Sequence, residues 1–141
     1  MAWIRPVVDH IFLVDRGGVP MVHLSRGLPT GADPDVAGVI ALGYPLHPRF
    51  RPEVLNPPEW PFLVKPALFV QGDRDPFCDL ERLRSEIPKL KEPADLVVIQ
   101  RAGHSFEPIG MKRDTFPEVQ DAMMDWIRGH IPSPDGRSVA R

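Results

Sequence analysis

Proline stands at 18 of the 141 positions, and no other feature of the sequence constrains the fold as strongly. Each proline fixes φ and removes a backbone donor, so helix interiors and central strands must fit between them. The proline-free gaps therefore segment the chain before any periodicity is considered. Hydrophobic residues make up 43% and charged residues 26%, the usage of an ordinary globular domain rather than of a disordered chain, a coiled coil or a collagen-like repeat. The length suits one domain with one core. No apolar run approaches the ~18 residues that a bilayer span requires. The opening Met-Ala-Trp-Ile-Arg-Pro-Val-Val-Asp lacks the basic-then-apolar order of a signal peptide. Cys78 is the single cysteine, which excludes an intramolecular disulfide. A net charge of −2 offers no basic field to a nucleic acid. The expectation is a soluble, cytoplasmic protein with neither a nucleic-acid nor a membrane partner.

The segments between prolines fall into two regions. Residues 1–35 are weakly organised: residues 7–14 and 19–24 suit short strands split by Gly17-Gly18, and residues 27–35 carry too much Gly and Pro for a helix. From residue 36 the pattern is clearer. Residues 36–42, 67–71 and 96–100 are short apolar runs of the kind that form strands buried on both faces of a parallel sheet. A proline-studded loop covers 47–61, and Leu80, Leu83 and Ile87 have helical spacing within 79–87. The second helix should begin at a cap formed by Asp114 or Thr115, with Pro117 and Glu118 in its first turn. Val119, Ala122, Met123, Trp126 and Ile127 form its apolar stripe, and Gly129 and Pro132 mark its end. Met124 is expected at the core edge, and Glu81, Arg82, Arg84 and Glu86 are expected on a solvated helix face. The domain expectation is an atypical segment at 1–35, an α/β unit at 36–132 and a polar tail at 133–141.

Two loops that follow strand ends carry the chemistry-bearing residues. Gly-Asp-Arg-Asp-Pro-Phe (72–77) follows one strand and Arg-Ala-Gly-His-Ser-Phe (101–106) follows the next. Functional groups collect at the carboxyl ends of strands in open α/β sheets. A carboxylate there can hold an imidazole in one tautomer and stabilise its protonated form. The alternative is a turn acid and a loop histidine with no joint role.

The strings Val-Gln-Gly-Asp-Arg-Asp-Pro-Phe (70–77) and Ala-Gly-His-Ser-Phe (102–106) resemble the acid and histidine loops of the α/β-hydrolase superfamily. Val-Ala-Gly-Val-Ile-Ala-Leu-Gly-Tyr-Pro-Leu-His-Pro (36–48) is similar to the small bacterial dienelactone-hydrolase-like group. The resemblance covers roughly residues 36–131. It implies a three-layer α/β fold and hydrolysis of an ester or related acyl bond, with Asp75 as the triad acid, His104 as the base and Asp73 in a structural position. It implies no cofactor and no metal, and a small ester-like molecule as substrate.

The departure from the family is at the nucleophile, which should precede the acid in Gly-x-Ser-x-Gly. The nearest string is His23-Leu24-Ser25-Arg26-Gly27, with histidine at the first glycine and no room for the following helix. Ser25 is the nucleophile candidate on this string, and a polar loop serine is the alternative. The expectation is an incomplete hydrolase, its C-terminal half, with an apolar edge strand that self-association or a complementing N-terminal half would cover. A non-catalytic remnant or interaction module is the competing class.

Ser105 could be mistaken for a nucleophile, but as the residue adjacent to His104 it does not point at that base productively. Cys78 near a helix start is a thiolate candidate, with a buried thiol as the alternative. His10, His23, His47, His104 and His130 show no zinc-ligand spacing. Tyr44, His47 and Phe77 follow strand ends and are candidates to line a substrate cleft.

Overall fold

A computed structural model describes residues 10–15, 20–22, 36–54 and 65–131. The apolar runs form the strands expected of them: β3 (Val36–Leu42), β4 (Ala67–Gly72) and β5 (Ala94–Ile99). These pair in parallel, with Ala41 opposite Phe69 and Phe69 opposite Leu96. Ahead of them, β1 (His10–Asp15) runs antiparallel to β3, and β2 (Pro20–Val22) runs antiparallel to β1. Among the described residues the sheet order is β2-β1-β3-β4-β5. The two short strands expected within 1–35 therefore exist and join the sheet. The edge of β3, expected to be bare, is covered by β1.

Because strand side chains alternate, each central strand feeds two cores. Ile40, Leu42, Leu68 and Val70 face one side, where Val119, Trp126, Ile127 and Ile131 close over them. Val39, Ala41, Ala67 and Phe69 face the other, against Leu83, Cys78, Tyr44 and Leu46. Helix α1 (Leu80–Glu86) thus lies on one face and helix α2 (Phe116–His130) on the other, which makes three layers. Leu68 and Phe69 are essentially sealed from solvent, each contributing roughly 1.5–3 kcal/mol of burial.

The structure corrects three details. The strand expected to be buried on both faces at 96–100 is β5, the outer strand among the described residues, in which Ile99 is buried, Asp95 exposed and the rest half-buried. Glu86 is not on a solvated face: it is only 4% exposed, and its carboxylate takes Lys89 Nζ at 2.7 Å and Arg82 Nε at 3.9 Å. Met124 is exposed, because it lies off the stripe that Val119, Met123 and Trp126 define.

The helix ends follow from local chemistry. Asp79 caps α1 by accepting the Arg82 N–H at 2.9 Å, and Pro88 tightens its exit into a single 3-10 turn at Ile87–Lys89. At the start of α2, Asp114 accepts the Phe116 N–H at 3.0 Å, while the Thr115 hydroxyl donates to the Phe106 carbonyl at 2.6 Å. Thr115 therefore ties α2 to the histidine loop instead of capping the helix. The helix passes through Gly129 and ends at His130, before Pro132. No helix among the described residues is long and apolar enough to cross a membrane.

Candidate active site

The two loops expected to carry chemistry leave the carboxyl ends of β4 and β5, which are hydrogen-bonded neighbours. They are stitched together from the strand ends outward. Asp73 N–H donates to the Ile99 carbonyl at 3.1 Å, and Arg74 N–H donates to the Ala102 carbonyl at 2.9 Å. The Asp73 carboxylate accepts the Ala102 N–H at 3.4 Å. Gly72 permits this approach: a Cβ there would lie 2.5 Å from the Gly103 carbonyl oxygen and 2.7 Å from the Ala102 carbonyl carbon. The histidine loop then folds back on itself, with Gly103 N–H on the Glu107 carbonyl and Ile109 N–H on the Arg101 carbonyl. Arg101 and Phe106 adopt positive φ, of 51° and 65°, to make the reversal.

This stitching sets His104 against Asp75. His104 Nδ1 lies 2.8 Å from Asp75 Oδ2. The Asp75 side chain is 0% exposed and that of His104 is 15% exposed, so the imidazole screens the carboxylate from water. Asp75 Oδ1 accepts the Phe77 N–H at 2.7 Å, and Oδ2 also accepts Gln71 Nε2 at 2.9 Å. Three donors thus converge on one buried carboxylate, which acts as an acceptor throughout. Its partner must present a proton on Nδ1, so the neutral imidazole keeps its basic lone pair on Nε2.

The remaining candidates are distributed around this pair. The Phe77 ring lies 4.8 Å from the His104 ring, centroid to centroid, tilted by 47°. The Arg49 guanidinium lies 6.0 Å from the Phe77 centroid and 5.0 Å from that of Phe50. Tyr44 is buried, edge-on to Phe69, and its N–H donates to Gln71 Oε1 at 2.6 Å. His47 is 2% exposed and bridges two loops: Nδ1 pairs with the Pro48 carbonyl at 2.7 Å, and Nε2 accepts the Asp79 N–H at 2.8 Å. Both of its ring nitrogens are thus engaged within the chain. Ser25 lies outside the described residues.

Cys78 is placed close by but is chemically quiet. Burial, reinforced by the charges of Asp75 and Asp79, pushes its thiol well above the ordinary range. The thiol therefore stays protonated and is a poor nucleophile. A groove between α2 and the face of β4 and β5 is lined by Leu68, Asp95, Val97, Glu118, Ala122, Asp125 and Trp126 and includes neither Asp75 nor His104. Among the described residues no group of three or more His, Cys, Asp or Glu side chains could hold a metal ion.

Sequence reasoning missed Gln71. Its signal was a polar residue closing an otherwise apolar strand, Ala-Leu-Phe-Val-Gln. A side chain in that position is buried by default and must find polar partners.

Comparison with known proteins agrees with this geometry. No solved structure gives a significant match to the chain. A family model described as alpha/beta hydrolase domain matches residues 23–132. The match spans both stitched loops, the parallel strands that carry them and the helices on either face. The chain belongs to the alpha/beta hydrolase domain family.

Proposed function

We propose that the chain hydrolyses an ester or related acyl bond of a small molecule, in the manner of the dienelactone-hydrolase-like group. The observation that carries this reading is the 2.8 Å bond between His104 Nδ1 and Asp75 Oδ2, made at the carboxyl ends of adjacent parallel strands. A carboxylate sealed behind a histidine orients the ring and stabilises the imidazolium that forms during proton transfer. In this reading Ser25 Oγ attacks the acyl carbon as His104 Nε2 takes its proton. The same nitrogen returns that proton to the departing alcohol oxygen, and water repeats the exchange to release the acid. Backbone N–H groups would stabilise the oxyanion. Phe77, against the His104 ring, supplies an apolar wall for the substrate. Tyr44 and His47 support the loops from behind.

The test is intact mass after incubation with a fluorophosphonate probe, beside a His104→Ala chain. One stoichiometric adduct, mapped to Ser25 and lost in the variant, is expected. Absence of an adduct on folded protein would refute the catalytic reading, and an adduct elsewhere would refute the assignment of Ser25.

One observation favours a second reading, a non-catalytic remnant or interaction module. The strand flanking β3 is antiparallel and leads to another strand, β2, not to a helix. The described residues on that flank therefore carry no strand-to-helix turn of the kind that presents a serine. On this reading the chain melts cooperatively, resists the probe and either acts alone as a binding domain or accepts a nucleophile from a complementing N-terminal half.

A further inference from the structure

We infer that Gln71 is a positioning residue that fixes the tautomer of His104 through Asp75. The inference rests on the Asp75–His104 pairing used in the proposed function, and it concerns how that pair is kept in a working state. Gln71 is fully buried at the end of β4, four residues before Asp75. Its carbonyl Oε1 accepts the Tyr44 N–H at 2.6 Å and its Nε2 donates to Asp75 Oδ2 at 2.9 Å.

A glutamine amide can present either end, and its neighbours choose which. Here the choice is made by backbone. Tyr44 follows Gly43, which has a φ of 63° and whose N–H is held by the Val70 carbonyl at 2.9 Å, one residue before Gln71. The Tyr44 N–H cannot turn away without breaking the exit of β3 from β4. It admits only the carbonyl end of the amide, which leaves the NH2 end facing Asp75. The flipped amide would set donor against donor at Tyr44 and acceptor against acceptor at Asp75, with no water to relieve either.

The orientation then passes along the chain of bonds. An NH2 group on Oδ2, with the Phe77 N–H on Oδ1, leaves Asp75 no role except acceptor. His104 must therefore donate from Nδ1, and Nε2 becomes the nitrogen that receives a proton. Without the Gln71 donor, one buried lone-pair site on Oδ2 is left unsatisfied. His104 then faces a carboxylate whose orientation is no longer fixed from the β4 side, and the ring is no longer confined to one tautomer.

The test is 15N NMR of the His104 ring in the full chain across its titration. In the unmodified chain the neutral ring should show Nδ1 as the protonated nitrogen and Nε2 as the unprotonated one. The Gln71 side-chain NH2 resonances should move with the same midpoint, because both groups share Asp75 Oδ2. Gln71→Met removes both bonds at similar volume, and Gln71→Glu keeps an acceptor for Tyr44 while losing the donor once ionised. Both variants should lose the single tautomer and give averaged ring shifts. The Trp126 indole N–H, held by Asp95 at 3.0 Å on the far side of the sheet, reports in the same spectra that the fold is intact. A pure Nδ1–H ring in either folded variant would overturn the inference. So would Gln71 NH2 resonances that ignore the His104 titration in the unmodified chain, a result that needs no variant to fold. The readout does not depend on turnover. A tautomer result as expected with no fluorophosphonate adduct would fail the proposed function and leave the positioning role standing.

Discussion

Replacing Gly72 with alanine should separate the two loops that carry the acid and the base. The added Cβ would meet backbone, 2.5 Å from the Gly103 carbonyl oxygen and 2.7 Å from the Ala102 carbonyl carbon, where ordinary contacts begin at 3.4 Å. No side chain can swing aside, so the histidine loop must retreat by about 1 Å. That retreat stretches the 2.9 Å bond from Arg74 N–H to the Ala102 carbonyl beyond hydrogen-bonding range. Overpacking of this kind costs roughly 1–3 kcal/mol, and the lost hydrogen bond adds about 1 kcal/mol. The expected destabilisation is therefore ~2–4 kcal/mol, or a fall in Tm of roughly 6–12 °C for a chain of this length. Urea unfolding followed by circular dichroism measures it, with a lower midpoint at unchanged slope. Gly129→Ala is the control: it lies within α2, where an added Cβ meets nothing within 4 Å. That variant should be neutral or more stable by up to ~1 kcal/mol. If Gly72→Ala unfolds within about 0.5 kcal/mol of the unmodified chain, the close approach of the loops is not what holds them.

Two further perturbations probe the supports of the site. Asp79→Ala removes the side chain that accepts the Arg82 N–H at 2.9 Å, and should cost about 1 kcal/mol; a urea midpoint equal to that of the unmodified chain would contradict the capping role. Cys78 should resist iodoacetamide at neutral pH in the folded chain and react on unfolding, as read by intact mass. Because folding raises the affinity of this thiol for its proton, its stabilising effect is complete below the unfolded thiol's value of about 8.5. It is lost as pH rises beyond that point, so the urea midpoint should decline on the alkaline side. Rapid labelling of folded protein would contradict the burial.

Much of the architecture was legible because it is set within a few residues. The apolar runs at 36–42 and 67–71 became central parallel strands, and Asp114, one of the two residues expected to cap the second helix, accepts the Phe116 N–H, while Asp79, expected inside the first helix, caps it. The acid and histidine loops could be placed at strand ends from the runs that precede them. Less legible was anything that depends on which strand lies outermost. The run at 96–100 looked as buried as the other two, yet β5 has a neighbour on only one side among the described residues. Glu86 likewise read as solvated, since its burial comes from packing that no local pattern records.

The site divides along the same line. Asp75 and His104 were nameable because their loops resemble the acid and histidine loops of the α/β-hydrolases, but Gln71 was not. A polar residue at the end of an apolar strand says that a partner is needed, not that the partner is a carboxylate four residues later on one side and a backbone N–H from the loop after β3 on the other. His47 shows the reverse: a histidine beside prolines reads as a loop residue open to ligands, and tertiary packing instead spends both its nitrogens on joining the β3 exit to the start of α1. Sequence alone determined the strand runs and the two helices, since periodicity and turn chemistry act over three or four residues, while the choice of Asp75 and His104 came from the resemblance of their loops to the α/β-hydrolases. Tertiary structure alone decided the antiparallel seat of β1 beside β3, the exposure of β5 and the orientation of the buried amide. Those depend on pairings between segments 20 or more residues apart in the chain, from the β1–β3 ladder to the bonds of Tyr44 to Gln71 and His104 to Asp75, whose separations are 27 and 29.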